Sequence, residues 1–201
     1  PPATTVTDRS GIRLRFTGRT DVKPLETALL PAPVELPCAA GETGPLCDRE
    51  AAIRDVTRRF GQQSGGFAAA LDGFCGDGRA PAAGPVQSCD HPAPGAGTVY
   101  AAGGHMHLLG RSITVQLNPG TPGARTLLEV PAYNFDEQAV APLPEPVALA
   151  AGDTLRVTCR HDATLRQRLP QLRDTPPRYV VWGDGTTDEM CLGLLVWSRA
   201  R

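Results

Sequence analysis

Long apolar runs are missing from this 201-residue chain: no stretch approaches the roughly 20 consecutive apolar residues that a helix needs to span a bilayer. An excess of one charge is missing too. The formal net charge is −1, and arginines are interspersed with acidic residues, which leaves no electrostatic footprint for nucleic acid or for an anionic membrane face. Lysine is almost absent, with Lys23 alone beside many Ala, Gly, Pro and Arg, a bias that points to genome base composition rather than to function. The opening Pro1-Pro2-Ala3-Thr4-Thr5 is neither charged nor followed by an apolar core, so no signal peptide is read there and a mature chain, or a domain of a longer one, is expected. No two cysteines form a tight Cys-X-X-Cys pair. Six cysteines in a chain of this size instead fit three disulfides in an oxidising compartment, and a secreted or extracytoplasmic protein is expected. No serine near a histidine has a second acidic partner at a recognisable spacing, so nothing points to a hydrolase triad.

What is present is enough for a core. Hydrophobic residues make up 41% of the chain, and the length suits one all-β domain over residues 1–201 that carries an insertion. Twenty-two glycines and 20 prolines argue for short strands joined by frequent turns. Residues 11–17 (Gly-Ile-Arg-Leu-Arg-Phe-Thr) alternate with the period of a half-buried strand. Residues 25–36 read as an edge strand or two short ones, broken by Pro31 and Pro33. Residues 98–117 form the best β region, with a break near Gly110. Strands are expected at 125–130, 146–149, 154–159, 179–182 and 190–197. One section differs: over 48–60, Ile53, Val56 and Phe60 recur at helical spacing. Cys38, Cys47, Cys75 and Cys89 lie in or beside it, so residues 38–90 read as a disulfide-stapled insertion with one helix. Those four cysteines allow three pairings, and the sequence does not choose among them.

His105-Met106-His107 lies inside the strongest strand signal. Side chains at i and i+2 share a face of a strand, so both imidazoles project together from Cα atoms about 6.5 Å apart, close enough to share one metal. Asp188-Glu189-Met190-Cys191 supplies the second half. A methionine there is ordinarily core, but a thioether beside two imidazoles selects copper, above all Cu(I), over zinc, calcium or magnesium.

Four motifs in order carry a family resemblance: residues 105–111 (His-Met-His-Leu-Leu-Gly-Arg), 133–138 (Tyr-Asn-Phe-Asp-Glu-Gln), 152–159 (Gly-Asp-Thr-Leu-Arg-Val-Thr-Cys) and 188–191 (Asp-Glu-Met-Cys). Together they resemble the C-terminal catalytic domain of the copper type II, ascorbate-dependent monooxygenases, the family of dopamine β-hydroxylase and peptidylglycine α-hydroxylating monooxygenase. The opening 8–17 is similar to the start of that domain in the dopamine β-hydroxylase branch. The resemblance covers about 8–37 and 97–198; the cysteine-rich middle departs from it. It implies an antiparallel jelly-roll β-sandwich, a copper held by His105, His107 and Met190, and a disulfide between Cys159 and Cys191. It also implies hydroxylation of a substrate C–H bond by dioxygen, with ascorbate or another external reductant. Family members carry a second domain, N-terminal to this one, whose histidines hold an electron-donating copper; here only His91 and His161 lie outside the pair, so an electron-donor domain or protein is an expected partner. Where the peptide-hydroxylating branch grips a substrate carboxylate, this chain has Gly103, Leu192 and Leu194. A small molecule without a peptide carboxylate is therefore the expected substrate. The competing reading is a non-catalytic, secreted copper-binding or electron-transfer module.

Other residues have plainer readings. His161 reads as a loop histidine bonded to Asp162 or water, and His91 as structural in a turn. Asp188 and Glu189 could orient a metal ligand, with capping or solvation as the equal alternative. Tyr133 and Phe135 read as packing on the sheet, and Trp182 and Trp197 as core. Arg166, Arg168 and Arg173 read as a solvated basic loop.

Overall fold

The computed structural model describes residues 9–76, 78–79 and 82–200. Ten strands and four helices run in the order β1 (Glu26–Pro31), β2 (Glu35–Leu36), α1 (Arg49–Phe60), α2 (Gln62–Cys75), β3 (Val86–Pro92), β4 (Gly97–Met106), β5 (Gly110–Leu117), β6 (Arg125–Val130), β7 (Val140–Leu149), β8 (Thr154–His161), α3 (Leu165–Arg168), α4 (Pro170–Arg173), β9 (Val180–Val181) and β10 (Cys191–Arg199). The fold is an all-β sandwich. One four-stranded sheet has the order β1-β10-β4-β7 and the other β3-β8-β5-β6, with β2 and β9 forming a small third sheet. All ladders between named strands are antiparallel.

The sandwich follows from alternation. On β10, Cys191, Gly193, Leu195 and Trp197 turn inward while Leu192, Leu194 and Val196 stay partly exposed. Val99, Ala102 and Met106 of β4 meet Ile113, Val115, Leu155 and Val157 of the facing sheet in one buried cluster. Cys159 on β8 and Cys191 on β10 are joined in a disulfide that ties the two sheets together. The four remaining cysteines pair as Cys38–Cys47 and Cys75–Cys89, the choice that the sequence left open.

Residues 25–36 form two strands, and β1 is an edge of its sheet, as the prolines predict. Residues 11–17 do not form the expected strand: residues 9–19 have no regular structure, and Ile12 and Phe16 are 89% and 91% exposed. Alternation specifies a face but not a partner, and no sheet edge pairs with this segment. Asp8 lies outside the described residues.

Helix α1 begins where the spacing puts it. The Asp48 carboxylate accepts from Ala51 N at 2.8 Å as an N-cap, and Gly61, at φ 92°, ends the helix. Its buried face is Ala52, Asp55 and Val56 rather than Ile53, Val56 and Phe60, and it packs on Tyr179 and Val181. A second helix, α2, also stands in the insertion where one was expected. Its Gly65, Gly66 and Gly73 mute the helical signal, yet a Cβ at position 65 would lie 1.9 Å from Thr57 Oγ1, so glycine lets α1 and α2 approach closely. The expected basic loop at 166–173 is two short helices, and Arg166 is buried at 3% exposure, donating to Thr175 Oγ1 at 3.2 Å. No helix among the described residues is long and apolar enough to cross a membrane.

Candidate metal centre

The β4–β10 ladder sets the stage. Leu192 pairs with His105 and Cys191 with Met106, and the ladder ends there, with His107 and Met190 the next residue on each chain segment. His105 stands on the outer face with Leu192, while His107 is 5% exposed; their ring centroids are 5.1 Å apart at an interplanar angle of 85°. His105 and Met190 line one cavity of about 380 Å³, together with Gln138, Val140, Leu192 and Leu194. Phe135 sits edge-on to His107 at 6.2 Å.

The backbone beneath this surface is held by one carboxylate. Glu189 is fully buried, at 0% exposure. Its Oε1 accepts from Leu109 N at 2.6 Å, and its Oε2 accepts from His107 N at 2.9 Å and from Met190 N at 3.1 Å. Because one oxygen serves both, the backbone nitrogens of His107 and Met190 lie within about 6 Å of each other. Beside it, Asp188 accepts from Arg59 Nη1 and Nη2 at 2.9 and 2.6 Å and from Arg178 Nη1 at 3.0 Å. Arg178 and Arg59 also reach Asp55 on α1, at 2.8 Å each. Helix α1 is thus fastened to the loop that carries Met190. The opposite side is fixed by Tyr133, whose hydroxyl donates to Met106 O at 2.6 Å and accepts from Met106 N at 2.9 Å. Burial pushes that phenol up to about 12, so it stays protonated. A Cβ at Gly110 would lie 2.8 Å from Met106 Cβ and 3.0 Å from Tyr133 Cδ1, so only glycine admits this contact.

The two imidazoles are set by different surroundings. Gln138 Nε2 donates to Phe135 O at 2.7 Å, which turns Gln138 Oε1 toward His105 Nδ1 at 2.5 Å. An amide oxygen only accepts, so Nδ1 carries a proton, and in the neutral ring the lone pair is on Nε2. Desolvation holds the His107 pKa below the ordinary histidine value, outweighing the nearby Glu189. His107 Nδ1 is buried with no hydrogen-bond partner among the described residues, an orphan of the kind that a metal would satisfy. Among the described residues no three His, Cys, Asp or Glu side chains converge as a metal site. Two imidazoles with one thioether, as His105, His107 and Met190 would supply, suit copper.

Gln138→Leu provides a copper-independent check on this arrangement. In the parent, nitrogen NMR of the His105 ring is expected to show the Nδ1–H tautomer. In the variant most of the population is expected to move to Nε2–H. An unchanged ring would remove Gln138 from the site.

Residues 85–200 match the family model of the copper type II ascorbate-dependent monooxygenase C-terminal domain. The chain belongs to this family. Copper type II ascorbate-dependent monooxygenases are copper- and ascorbate-dependent, and the matched span runs from just before β3 to the end of β10. It takes in His105, His107 and Met190 but neither residues 8–37, where the sequence also bears a resemblance, nor the helices of the insertion. No curated protein matches the chain.

Several residues differ from their sequence readings. His161 lies not in a solvated loop but at the end of β8, 2% exposed, with Nε2 3.4 Å from Glu189 Oε2. His91 is on β3 rather than in a turn, and its Nε2 meets Pro31 O at 2.7 Å. Asp188 and Glu189 serve neither as caps nor as solvated charges, being 3% and 0% exposed. Gln138 carried no role in the sequence reading, although it stands within a quoted motif. The signal for the acidic pair was its place between Gly-rich turn and apolar strand, where a free carboxylate has no water to face.

Proposed function

We propose that this domain holds one copper ion through His105, His107 and Met190 and is the oxygen-activating part of a secreted monooxygenase that hydroxylates a C–H bond of a small molecule. Copper bound there would supply redox chemistry in which dioxygen and two electrons from ascorbate or another external reductant give the alcohol and water. The observation that carries this reading is the shared Glu189 Oε2, which brings the His107 and Met190 backbones together beside a second imidazole 5.1 Å from the first. Three disulfides support a secreted setting. The chain's own part is to favour the neutral His107 ring by burial, to set His105 on the cavity wall and to leave the rest of the coordination sphere open. Leu192 and Leu194 line the cavity where a carboxylate-gripping site would need polar groups, which supports a substrate without a peptide carboxylate. Reducing equivalents would come from an electron-donor domain or protein, or directly from the small reductant.

Anaerobic titration of the metal-free protein with Cu(I) against a competing chelator tests this reading. One tight equivalent is expected. His107→Ala should weaken it at least about tenfold, and Met190→Ala should lose Cu(I) affinity more than Cu(II) affinity, because the soft sulfur favours the reduced ion. Equal binding without His107 and Met190 would end the proposal. Oxygen uptake that depends on both copper and ascorbate separates the enzyme from the second reading, a non-catalytic copper-binding or electron-transfer module.

A further inference from the structure

The outer face of the β1-β10-β4-β7 sheet is apolar well beyond the histidines. Leu29 pairs across the ladder with Leu194, and Pro31 with Leu192; Leu29 is 56% exposed. Beside them a cavity of about 640 Å³ is walled by Phe60, Gln63, Ser64 and Phe67 from the insertion and by Trp182. Phe67 meets Trp182 edge-on at 5.1 Å, yet Phe60 and Phe67 keep 40% and 38% of their surface exposed. Met190 and Leu192 line this cavity and also the smaller one at His105. The two are lobes of one groove that meet at the methionine.

The groove's charge is one-sided. Among the described residues no lysine or arginine lines either lobe, and the one carboxylate is that of Asp184, an exposed rim residue that accepts from the Ser64 hydroxyl. Between the rim and Met190 the walls are mostly aromatic and aliphatic, with Gln63 and Ser64 as uncharged polar groups and no lysine or arginine to pair a buried carboxylate. The insertion wall is also held in place. Ser64 ties α2 to Asp184, and Arg59 ties α1 to Asp188, on either side of the turn that leads to Met190. None of the four insertion residues falls within the family-matched span.

Resting on the copper reading of Met190, we propose that the insertion completes a substrate groove and that its occupant is an uncharged, ring-bearing apolar molecule. The ring lies against Phe67 and Trp182, and the far end reaches Met190. A volume of about 640 Å³ is in the range that holds a drug-sized ligand, and in the metal-free chain a carboxylate in this groove would be desolvated with no lysine or arginine to offset the loss.

The test uses the full chain without metal, so that its outcome is separate from that of the copper titration. The uncharged probe 2-naphthamide and the matched anion 2-naphthoate are titrated by isothermal calorimetry. The amide is expected to bind at least about tenfold more tightly than the carboxylate. Phe67→Asp should weaken the amide about tenfold while Phe67→Leu changes it little, both variants being checked for folding by urea unfolding. Bound amide should also slow peroxide oxidation of Met190 severalfold, read by mass spectrometry against buried Met106. Equal binding of the two probes, indifference to Phe67→Asp in a folded variant, or an unprotected Met190 would each overturn the proposal. Copper held by the triad with no amide bound would leave the metal reading intact and remove the groove; the converse would do the opposite.

Discussion

Glu189→Ala is expected to cost about 3–5 kcal/mol of folding stability, a large share of the total for a domain of this kind. The side chain is 0% exposed and accepts from three backbone N–H groups, on His107, Leu109 and Met190. Each of these donors sits where water does not reach its acceptor, and leaving one unsatisfied costs about 1–3 kcal/mol. Some of that loss is recovered if water enters the space vacated, which is why the expected total lies below the sum of the maxima. Glu189→Gln separates the contributions. Its one amide oxygen can serve either Leu109 N or the His107 and Met190 pair, and its NH2 group then opposes a donor. A loss of about 2–3 kcal/mol is expected for it, between the parent and alanine. Urea unfolding gives both numbers. A loss under about 1 kcal/mol for alanine would mean that the three N–H groups find other partners and that Glu189 does not hold the two ligand segments together.

That clamp marks the boundary of what the sequence discloses. The His105–His107 pair was legible because period two is a local rule: two residues apart on a strand means one face. Met190 became legible only through its motif, since nothing local joins residue 190 to residue 107. The clamp itself was not legible, because its partners are main-chain N–H groups some 80 positions away in sequence, and every residue carries such a group. The same limit explains the strand expected at 11–17. Alternation is written in the side chains of one segment, whereas a ladder needs a second segment, and among the described residues no edge strand pairs with this one. The β4 and β5 strands, their break before Gly110 and the helix capped by Asp48 were legible because each is set by neighbouring residues. Helix α2 failed the other way. Gly65 lowers intrinsic helicity, and the gain that outweighs it, contact with Thr57, is tertiary.

The insertion contributes to the site through charge. Arg59 and Arg178 between them bridge Asp55 on α1 to Asp188, two residues before Met190. Arg49 joins the start of α1 to the buried Glu35, which also accepts from Tyr179 Oη at 2.8 Å. A cysteine-rich segment outside the family-matched span is therefore bound to the loop that carries Met190 by paired, largely buried charges, which resist being broken one partner at a time.

Cys159→Ala with Cys191→Ala is expected to lower the unfolding midpoint by about 10 °C. The bridge spans 32 positions, and closing a loop of that length restrains the unfolded chain by about 3.5–4 kcal/mol. For a domain of this size each kcal/mol is worth about 2–4 °C. Both residues are 0% exposed between the two sheets, so their removal also leaves unfilled space, and Cys191 is the neighbour of Met190. The bridge between Cys38 and Cys47 spans only 9 positions, which by the same relation restrains the unfolded chain by about 2.6 kcal/mol, and its cysteines are only half-buried. Its double alanine variant should lose clearly less. Comparable midpoints for the two variants would mean that the bridge between the sheets delivers less than its loop length implies, and that packing alone seats the strand that begins beside Met190.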